Sequence, residues 1–327
     1  MKIYFDSRWC GTHGIGRFAT EVRKTEIGFI DLPLQGNPAS KFDVFKLTFV
    51  LARLNGFFFS PGYNAPLFFL NRTIITVHDL NHIDLNYNSS ILKRLYYKLI
   101  LKRACLKSAK ILTVSDFSKS RIVKWSGVPE EKVFVVGNGV SQEFNIEGDK
   151  YQPGFPYVFV VGNRKFHKNE ARVLEAFHLS TLPPEVKLVF SGKISDELHN
   201  IINEYGLSDK VVFLGTLSNM ELASCYRGAE VLLFPSLYEG FGLPVIEAMA
   251  CGIPVITSNT TSLKEIASDA ACLVNPESII EIKSALEKIF KDDNYKNDLV
   301  ERGRIQSQKF TWNKTRNKVK ILLGDIS

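Results

Sequence analysis

The sequence lacks an apolar run long enough for a membrane-spanning helix. Such a helix needs roughly 18–20 consecutive apolar residues, and the stretches around Phe57–Phe59 and Leu67–Leu70 are much shorter. The opening segment Lys2–Phe5 resembles a strand and shows no apolar signal segment. We therefore expect a cytoplasmic protein.

Cysteine is also scarce. The 327 residues include 5 cysteines, an odd number, and none has C-x-x-C spacing. This pattern argues against a disulfide framework or a structural metal site and favours reduced thiols. With 45% hydrophobic and 23% charged residues, the composition is that of a globular chain long enough for two domains.

Acidic residues are under-represented in the first part of the chain. Residues 1–150 contain 21 Lys and Arg against 13 Asp and Glu, and between Lys93 and Lys124 the only acid is Asp116. This uneven excess of basic residues predicts a surface that binds anionic lipid or phosphate. It lacks a recognition motif and interleaved aromatic residues, so nucleic acid is not an expected partner.

Short apolar segments alternate with helical patterns along most of the chain. The predicted strands are Lys2–Phe5, Phe57–Ser60, Thr73–His78, Ile111–Val114, Val133–Val136, Tyr157–Val161, Lys187–Ser191, Val211–Leu214, Val231–Phe234, Pro254–Thr257 and Ala271–Val274. The predicted helices include Ser90–Lys107, Asn169–Leu179, Asp196–Tyr205, Met220–Arg227 and Ser278–Lys291. The alternation predicts an α/β fold with parallel sheets. This pattern stops near Asn145–Pro156, where glycine and proline interrupt it. We therefore expect two Rossmann-like domains that face each other across a cleft.

Two motifs of the first half follow predicted strands, where open parallel sheets bind ligands. Gly14 and Gly16, within Gly11–Arg17, open a helix and would let backbone amides approach a phosphate. A tight turn without a ligand explains them equally well. His78, at the end of Thr76–Asp79, can line a ligand site, and a hydrogen-bonded loop pair is the alternative.

Two further motifs follow strands of the second half. The segment Val161–Asn169 collects Arg164, Lys165 and Lys168 where a diphosphate would lie, and a fixed cation stabilises a leaving diphosphate without a metal. In Phe234–Ala248, a glycine-rich turn precedes a helix.

The second of these motifs carries two carboxylates. Glu239 lies in the turn and Glu247 in the helix, eight residues later, so they could accept hydroxyl protons from opposite ends of a polyol ligand. The neighbours of Glu247 are apolar, so its carboxylate needs a partner. The backbone amides of Gly240, Phe241, Gly242 and Leu243 can face an anion at the helix N-terminus.

Taken together, these motifs resemble the retaining GT-B glycosyltransferases of the glycogen-synthase, sucrose-synthase and bacterial mannosyltransferase family. The resemblance extends over nearly the whole chain, through Val77–Leu80, Val114–Ser118, Asn138–Val140, the Glu-x7-Glu stretch, Ala250–Val255 and Ser262–Glu265. Phe310–Trp312 resembles the start of the family's last helix, which returns to the first domain. The implied boundaries are 1–147 for an acceptor domain, 148–309 for a nucleotide-sugar domain and 310–327 for that helix.

The resemblance implies sugar transfer from a nucleotide-sugar donor to a hydroxyl of a glycan or lipid-linked acceptor, with no metal and no cofactor. It implies that Glu239 binds the donor sugar and Glu247 the ribose, and that the amides of Phe241–Leu243 contact sugar and diphosphate. Lys168 would neutralise the diphosphate, His78 would lie beside the reacting sugar, and Gly14 and Gly16 would form a wall of the site.

The sequence also departs from the family pattern. Asn163 follows Gly162 where many relatives have arginine, so Arg164 is the candidate replacement. The short segment between Arg17 and Phe57 suggests the loss of one strand–helix unit. Features of His167–Asn169 and Thr257–Asn259 resemble bacterial surface-polysaccharide mannosyltransferases, which favours GDP-mannose as donor.

A basic segment of the first half has the composition of a membrane-contacting helix. Three cations recur every fourth residue beside apolar residues: Arg94, Lys98 and Lys102 beside Leu95, Leu99 and Leu106. This pattern predicts an interfacial helix and peripheral contact of the Lys93–Lys124 region with an anionic inner membrane face. A solvated face of an ordinary crossover helix is the alternative.

Two other functions fit the same residues. One is a GT-B epimerase, which would convert the nucleotide sugar without an acceptor. The other is a non-catalytic nucleotide-sugar-binding subunit of a polysaccharide assembly complex, suggested by Asn163 and the short first domain.

Overall fold

A computed structural model describes residues 2–12, 14–85 and 91–324, with the backbone alone for 91–93. His13, in the first glycine motif, and Ser90, the predicted start of the basic helix, lie outside the described residues. The chain forms two compact units: Met1–Gly139 with Thr311–Ser327, and Val140–Phe310.

The strands and helices alternate along the chain. The strands are β1 (Ile3–Phe5), β2 (Ile30–Asp31), β3 (Phe57–Ser60), β4 (Thr73–Thr76), β5 (Lys110–Thr113), β6 (Val133–Val135), β7 (Tyr157–Val160), β8 (Lys187–Phe190), β9 (Val211–Phe213), β10 (Val231–Phe234), β11 (Val255–Ser258) and β12 (Cys272–Val274). The helices are α1 (Gly14–Arg23), α2 (Asp43–Leu51), α3 (Asn81–Asp84), α4 (Ile91–Tyr96), α5 (Lys102–Lys107), α6 (Asp116–Ser126), α7 (Glu170–Leu179), α8 (Asp196–Glu204), α9 (Asn219–Gly228), α10 (Leu243–Ala250), α11 (Thr261–Ala267), α12 (Ile279–Lys291), α13 (Asp293–Ser307) and α14 (Trp312–Gly324). A π-helical turn, Tyr97–Leu101, joins α4 to α5.

The first unit has a six-stranded parallel sheet in the order β2-β1-β3-β4-β5-β6. Strands β3 and β4 are almost entirely buried, as expected where helices cover both faces. Beyond β1, the sheet ends in β2, a strand of two residues. That side of the sheet is therefore reduced, in line with the short segment between Arg17 and Phe57.

The second unit has a six-stranded parallel sheet in the order β12-β11-β10-β7-β8-β9. The chain order reverses between β7 and β10, which is the doubly wound arrangement. Buried aliphatic residues from β7, β8 and β10 pack against α7 and α12 on one face. Buried residues of α9 and α10 cover the other face. The predicted α/β fold with two parallel sheets is confirmed.

The eleven predicted strands all correspond to observed strands, whereas β2 and α2 were not predicted. Strand β2 has two exposed residues, so no apolar pattern marks it. Helix α2 is preceded by Phe42 and carries Phe45 and Phe49, three exposed aromatics that obscure its amphipathic period.

The segment 140–147, predicted to belong to the first domain, packs in the second unit. Phe144 is buried there, with its ring centroid 5.9 Å from that of Tyr226. Arg227 also donates hydrogen bonds of 3.3 Å to the carbonyls of Glu143 and Asn145. The second unit therefore begins at Val140.

Helix α14 packs in the first unit. Arg316 forms an ion pair of 2.6 Å with Glu21 of α1, and Lys110 of β5 donates a 2.7 Å hydrogen bond to the carbonyl of Leu322. Among the helices that the structure describes, none is long and apolar enough to cross a bilayer.

Candidate active site

Two loops of the second unit meet where the strand order reverses. One follows β7 and the other follows β10, and these strands are neighbours in the sheet. The amide of Leu237 in the second loop donates a 2.7 Å hydrogen bond to the carbonyl of His167 in the first. Ligands of open parallel sheets bind at this position.

The two loops are also joined by an ion pair. Lys168 Nζ lies 2.6 Å from Glu239 Oε1, and the two side chains are 13% and 15% exposed. The ammonium group also lies 4.8 Å from the centre of the Phe234 ring. Two predicted site residues, 71 positions apart in the chain, are thus in direct contact. Partial exclusion of water strengthens their attraction relative to a surface pair.

Asn169 holds this arrangement in place. It has a positive φ of 61° and is almost fully buried. Its Nδ2 donates hydrogen bonds of 2.9 Å to the carbonyl of Pro235 and 2.6 Å to that of Pro276. One amide therefore connects the loops after β7, β10 and β12. The sequence motif included Asn169 but gave it no role.

Helix α10 begins directly after the glycine-rich turn. Gly242 precedes it with a φ of 104°, and a Cβ at this position would lie 2.5 Å from Leu263 Cδ2. Gly240 and Phe241 are buried, while Leu243 is partly exposed at the first helical position. In the first turn Pro244 has no N–H, and the Val245 amide donates a 3.0 Å hydrogen bond to the Gly242 carbonyl. The helix dipole and the amides of Gly242 and Leu243 are therefore what favours an anion here.

Glu247 lies on the buried side of α10 and is 2% exposed. Tyr226 of α9 donates a 3.1 Å hydrogen bond from its hydroxyl to Glu247 Oε2. The carboxylate therefore has a partner, as predicted, and Tyr226 provides it. No local signal indicates it, because the two residues lie 21 positions apart on different helices.

Arg164 is turned towards the protein interior. Its guanidinium donates to the carbonyl of Ser191, and Nη1 lies 3.1 Å from Glu170 Oε1. It lies 5.3 Å from the ring centres of both Phe190 and Phe213. Burial raises the pKa of Glu170, and the nearby charges of Arg164 and Lys168 oppose that shift. Arg164 would have to leave Glu170 in order to contact a diphosphate.

In the first unit, the two predicted glycines lie at the start of α1. Gly14 is exposed and has a φ of 21°. A Cβ on Gly16 would lie 2.9 Å from the Cα of Gly11, whose amide donates a 3.2 Å hydrogen bond to the Gly16 carbonyl. Gly16 is therefore required by the closure of the loop itself, and a contact with ligand remains a prediction.

His78 follows β4 and is held in one orientation. Its Nε2 donates a 2.9 Å hydrogen bond to the carbonyl of Pro61. Its ring packs edge-on against that of Phe18, with the two ring centroids 4.9 Å apart. Burial lowers the pKa of His78 to about 4, against a smaller effect of that hydrogen bond. The imidazole is therefore neutral near pH 7, with Nδ1 free of a proton.

A buried charged cluster lies near the ends of β1 and β3. Arg8 donates hydrogen bonds of 2.7 Å to Asp6 and 2.6 Å to Asp43, and the Asn64 amide donates 2.9 Å hydrogen bonds to both carboxylates. Burial opposes the charge of Arg8, but these carboxylates raise its pKa. No sequence motif indicated this cluster, although Asp6 directly follows a strand.

Residues 141–306, about half of the chain, match the family Glycosyl transferases group 1, and residues 42–144 match Glycosyltransferase Family 4. The chain belongs to the group 1 glycosyltransferases. The GT-B glycosyltransferase resemblance stated from the motifs is thereby confirmed.

Relatives of this glycosyltransferase include two bacterial enzymes. O-antigen chain mannosyltransferase B of Escherichia coli is 30% identical over 272 residues, which cover 76% of this chain and 70% of that protein. O-antigen chain mannosyltransferase RfbU of Salmonella typhimurium is 31% identical over 230 residues, 69% of this chain and 63% of that protein.

Solved structures show the GT-B fold of this glycosyltransferase over its full length. Sucrose-phosphate synthase from Thermosynechococcus elongatus superposes with a TM-score of 0.79 at 19% identity, covering 100% of this chain and 99% of that one. The Anabaena protein HepE, in complex with UDP and glucose, gives a TM-score of 0.76 at 17% identity. The match covers 99% of this chain and 100% of that one.

Proposed function

We propose that this glycosyltransferase moves mannose from GDP-mannose to a hydroxyl of a lipid-linked or surface-polysaccharide acceptor, with retention of anomeric configuration. The observation that carries the proposal is the Lys168–Glu239 ion pair at the reversal of strand order. It places one cation and one hydroxyl-binding carboxylate together, beside the N-terminus of α10.

Lys168 and α10 would share the charge of the diphosphate. In the free protein Glu239 neutralises Lys168, so the pair is prepared without an uncompensated charge. When the donor binds, the diphosphate takes over Lys168 and releases Glu239 to accept hydrogen bonds from sugar hydroxyls. Because positive charge then faces the departing diphosphate, the transition state is stabilised more than the ground state.

Glu247 would bind the ribose from its position beside Tyr226. The tyrosine hydroxyl occupies one lone pair of Oε2 and fixes the rotamer of the carboxylate. A carboxylate oriented in this way can accept hydrogen bonds from a pair of vicinal hydroxyls. Arg164 keeps its predicted role at the diphosphate only if the donor draws it away from Glu170.

Transfer would proceed as a front-side displacement. The bond between C1 of the sugar and the phosphate oxygen breaks as the acceptor oxygen bonds to C1, and the acceptor proton passes to the departing phosphate. His78 would contact the reacting sugar as a neutral imidazole, with Nε2–H committed to Pro61. Lysine and helix amides supply the charge stabilisation that a metal ion provides in other transferases.

The choice of mannose and of a surface-polysaccharide acceptor rests on the relatives. Two of them are named O-antigen chain mannosyltransferases. HepE, with the same fold, is complexed with UDP and glucose, which supports a nucleotide sugar as the donor class. The proposal includes peripheral contact with an anionic membrane through the Lys93–Lys124 region.

A screen of nucleotide sugars tests this function. GDP-mannose should raise the melting temperature of the purified protein more than UDP- or dTDP-sugars do, because a ligand that binds only the folded state stabilises it. Radiolabelled mannose should then pass to membrane extracts that contain lipid-linked glycans. Glu239→Gln should abolish transfer, while Glu185→Gln, an exposed control, should leave it unchanged.

Three outcomes would contradict the proposal. Conversion of the donor without an acceptor would indicate an epimerase. Binding of a donor without transfer to any extract would indicate a non-catalytic subunit. A product with inverted anomeric configuration would exclude retention.

A further inference from the structure

Helix α2 and the residue before it expose three aromatic side chains on one face. Phe42, Phe45 and Phe49 are 68%, 58% and 62% exposed, and their spacing of three and four residues places them side by side. The opposite face, with Leu47 and Leu51, is buried against the sheet. Large exposed aromatic residues grouped on one face mark an interaction surface.

A fourth aromatic residue, Phe68, is 62% exposed. Its neighbour Leu67 is tied to two helices. The Leu67 amide donates a 2.8 Å hydrogen bond to Thr48 Oγ1 of α2, and Arg103 of α5 donates to the Leu67 carbonyl. Phe42, Phe45, Phe49 and Phe68 are hereafter called the aromatic face.

The same hydrogen bonds connect the aromatic face to the basic helix. On the continuous helix of α4, the π turn and α5, Leu95, Leu99 and Leu106 are 50%, 54% and 42% exposed. Arg94 and Lys98 on this helix are exposed as well. Apolar and basic groups therefore extend from α2 through Leu67 to the predicted interfacial helix.

The exposed charged residues of the segment that carries the aromatic face are all basic. Between residues 32 and 72 the only acidic residue is Asp43, which is buried and paired with Arg8. Lys41, Lys46 and Arg53 are exposed, and the Arg53 guanidinium lies 3.4 Å from the centre of the Phe49 ring. From residue 85 to 115 there is no acidic residue at all.

We propose that the aromatic face and the adjoining basic helix together form a membrane-docking surface, with the phenylalanines inserted among the headgroups of an anionic bilayer. Aromatic rings beside cations are the composition of interfacial membrane-binding surfaces. A second copy of the chain would meet this surface with cations of the same sign, which costs binding energy. Protein interfaces are moreover depleted in lysine.

This inference deepens the membrane contact within the proposed function, and it rests on that function for its biological role. The residues that carry it are those of the aromatic face, which lie outside the Lys93–Lys124 region predicted from the sequence. Vesicle binding requires no sugar donor, so failure here is distinguishable from failure of the proposed transfer.

Sedimentation of the full chain with vesicles tests the proposal. The protein should bind vesicles of equal parts phosphatidylglycerol and phosphatidylcholine, and bind phosphatidylcholine alone much more weakly. Phe45→Ser/Phe49→Ser should lower the partition coefficient by about tenfold or more, since two aromatic rings no longer leave water. Ile280→Ser, which removes a 75% exposed apolar residue of the second unit, serves as the control and should bind as the wild type does.

The double variant must keep its fold for this comparison. Because both rings are exposed, its melting temperature and its stabilisation by a nucleotide sugar should equal those of the wild type. The proposal is overturned if the wild type ignores anionic vesicles, or if the double variant binds them equally well. Light scattering that shows a dimer converted to a monomer by the double substitution would identify a second copy as the occupant instead.

Discussion

Lys168 Nζ and Glu239 Oε1 lie 2.6 Å apart and join the loops that follow β7 and β10. Each residue belongs to a separate sequence motif, and the reversal of strand order is what brings them together. The ion pair gives the proposed diphosphate site its cation and keeps that cation compensated while no donor is bound.

Replacement of Lys168 should weaken transfer more than folding. Lys168→Ala should lower kcat by a factor of about 10²–10³, because a preorganised cation at the leaving group is lost. Lys168→Arg should recover part of this loss. Steady-state kinetics with GDP-mannose would measure the effect, with Lys291→Ala, at an exposed position outside the site motifs, as the control. Equal activity of Lys168→Ala and Lys291→Ala would remove Lys168 from the mechanism.

Loss of the Tyr226 hydroxyl should disturb Glu247. Tyr226→Phe leaves a buried carboxylate without one of its donors, which costs about 1–3 kcal/mol of folding free energy. The KM for the donor should also rise, because the carboxylate is less well oriented. Urea unfolding and donor titration would test both effects beside Tyr205→Phe, whose ring stacks on His178 in another part of the unit. An unchanged KM would argue against ribose binding by Glu247.

A side chain at Gly242 should be poorly tolerated. Gly242→Ala combines a φ of 104° with a Cβ only 2.5 Å from Leu263 Cδ2, so we expect a loss of about 1–3 kcal/mol in unfolding free energy. Gly206→Ala is the comparison, because Gly206 has a φ of 65° and open space around it. It should lose less stability. A Gly242→Ala protein as stable as Gly206→Ala would show that the turn adjusts to the extra methyl.

The burial of His78 should make stability depend on pH. Its pKa is lowered from the ordinary value of 6.5 to about 4. Between these pH values the unfolded chain binds a proton that the folded protein does not, so stability falls as the pH decreases. Urea unfolding over this range should show a shallower decrease for His78→Gln than for the wild type. His199→Gln, on an exposed position of α8, should retain the full decrease.

Transfer should continue after divalent metal ions are removed. Lys168 and the amides at the start of α10 supply positive charge at the proposed leaving group. Initial rates should therefore be equal after dialysis against EDTA and after addition of Mg²⁺. A rate that depends on Mg²⁺ by more than about tenfold would require a metal in the stabilisation of the diphosphate.

The sequence predicted much of the site because its motifs are local. Glu239, Gly240 and Gly242 lie in one turn between a strand and a helix, and at Gly242 a φ of 104° favours glycine. Lys168 was recognised in the same way, directly after a strand. Tyr226 was not predicted, because it reaches Glu247 from another helix.

Arg164 also shows that a local motif does not reveal which residues a side chain contacts. Its position in a basic loop predicted a contact with diphosphate, and that role remains a prediction. In the structure its guanidinium lies between Glu170 and the rings of Phe190 and Phe213. The choice between ligand and interior depends on residues of β8, β9 and α7, which local spacing does not reveal.

The amino-acid sequence by itself determined the alternation of strands and helices, since apolar periodicity and the positions of glycine and proline act over a few residues. It also determined the family, through motifs that each lie within one loop. Only the tertiary structure decided that Lys168 meets Glu239, that Tyr226 meets Glu247 and that α2 exposes its phenylalanines. These relationships depend on the order in which strands assemble, and that order is set by burial over the whole sheet.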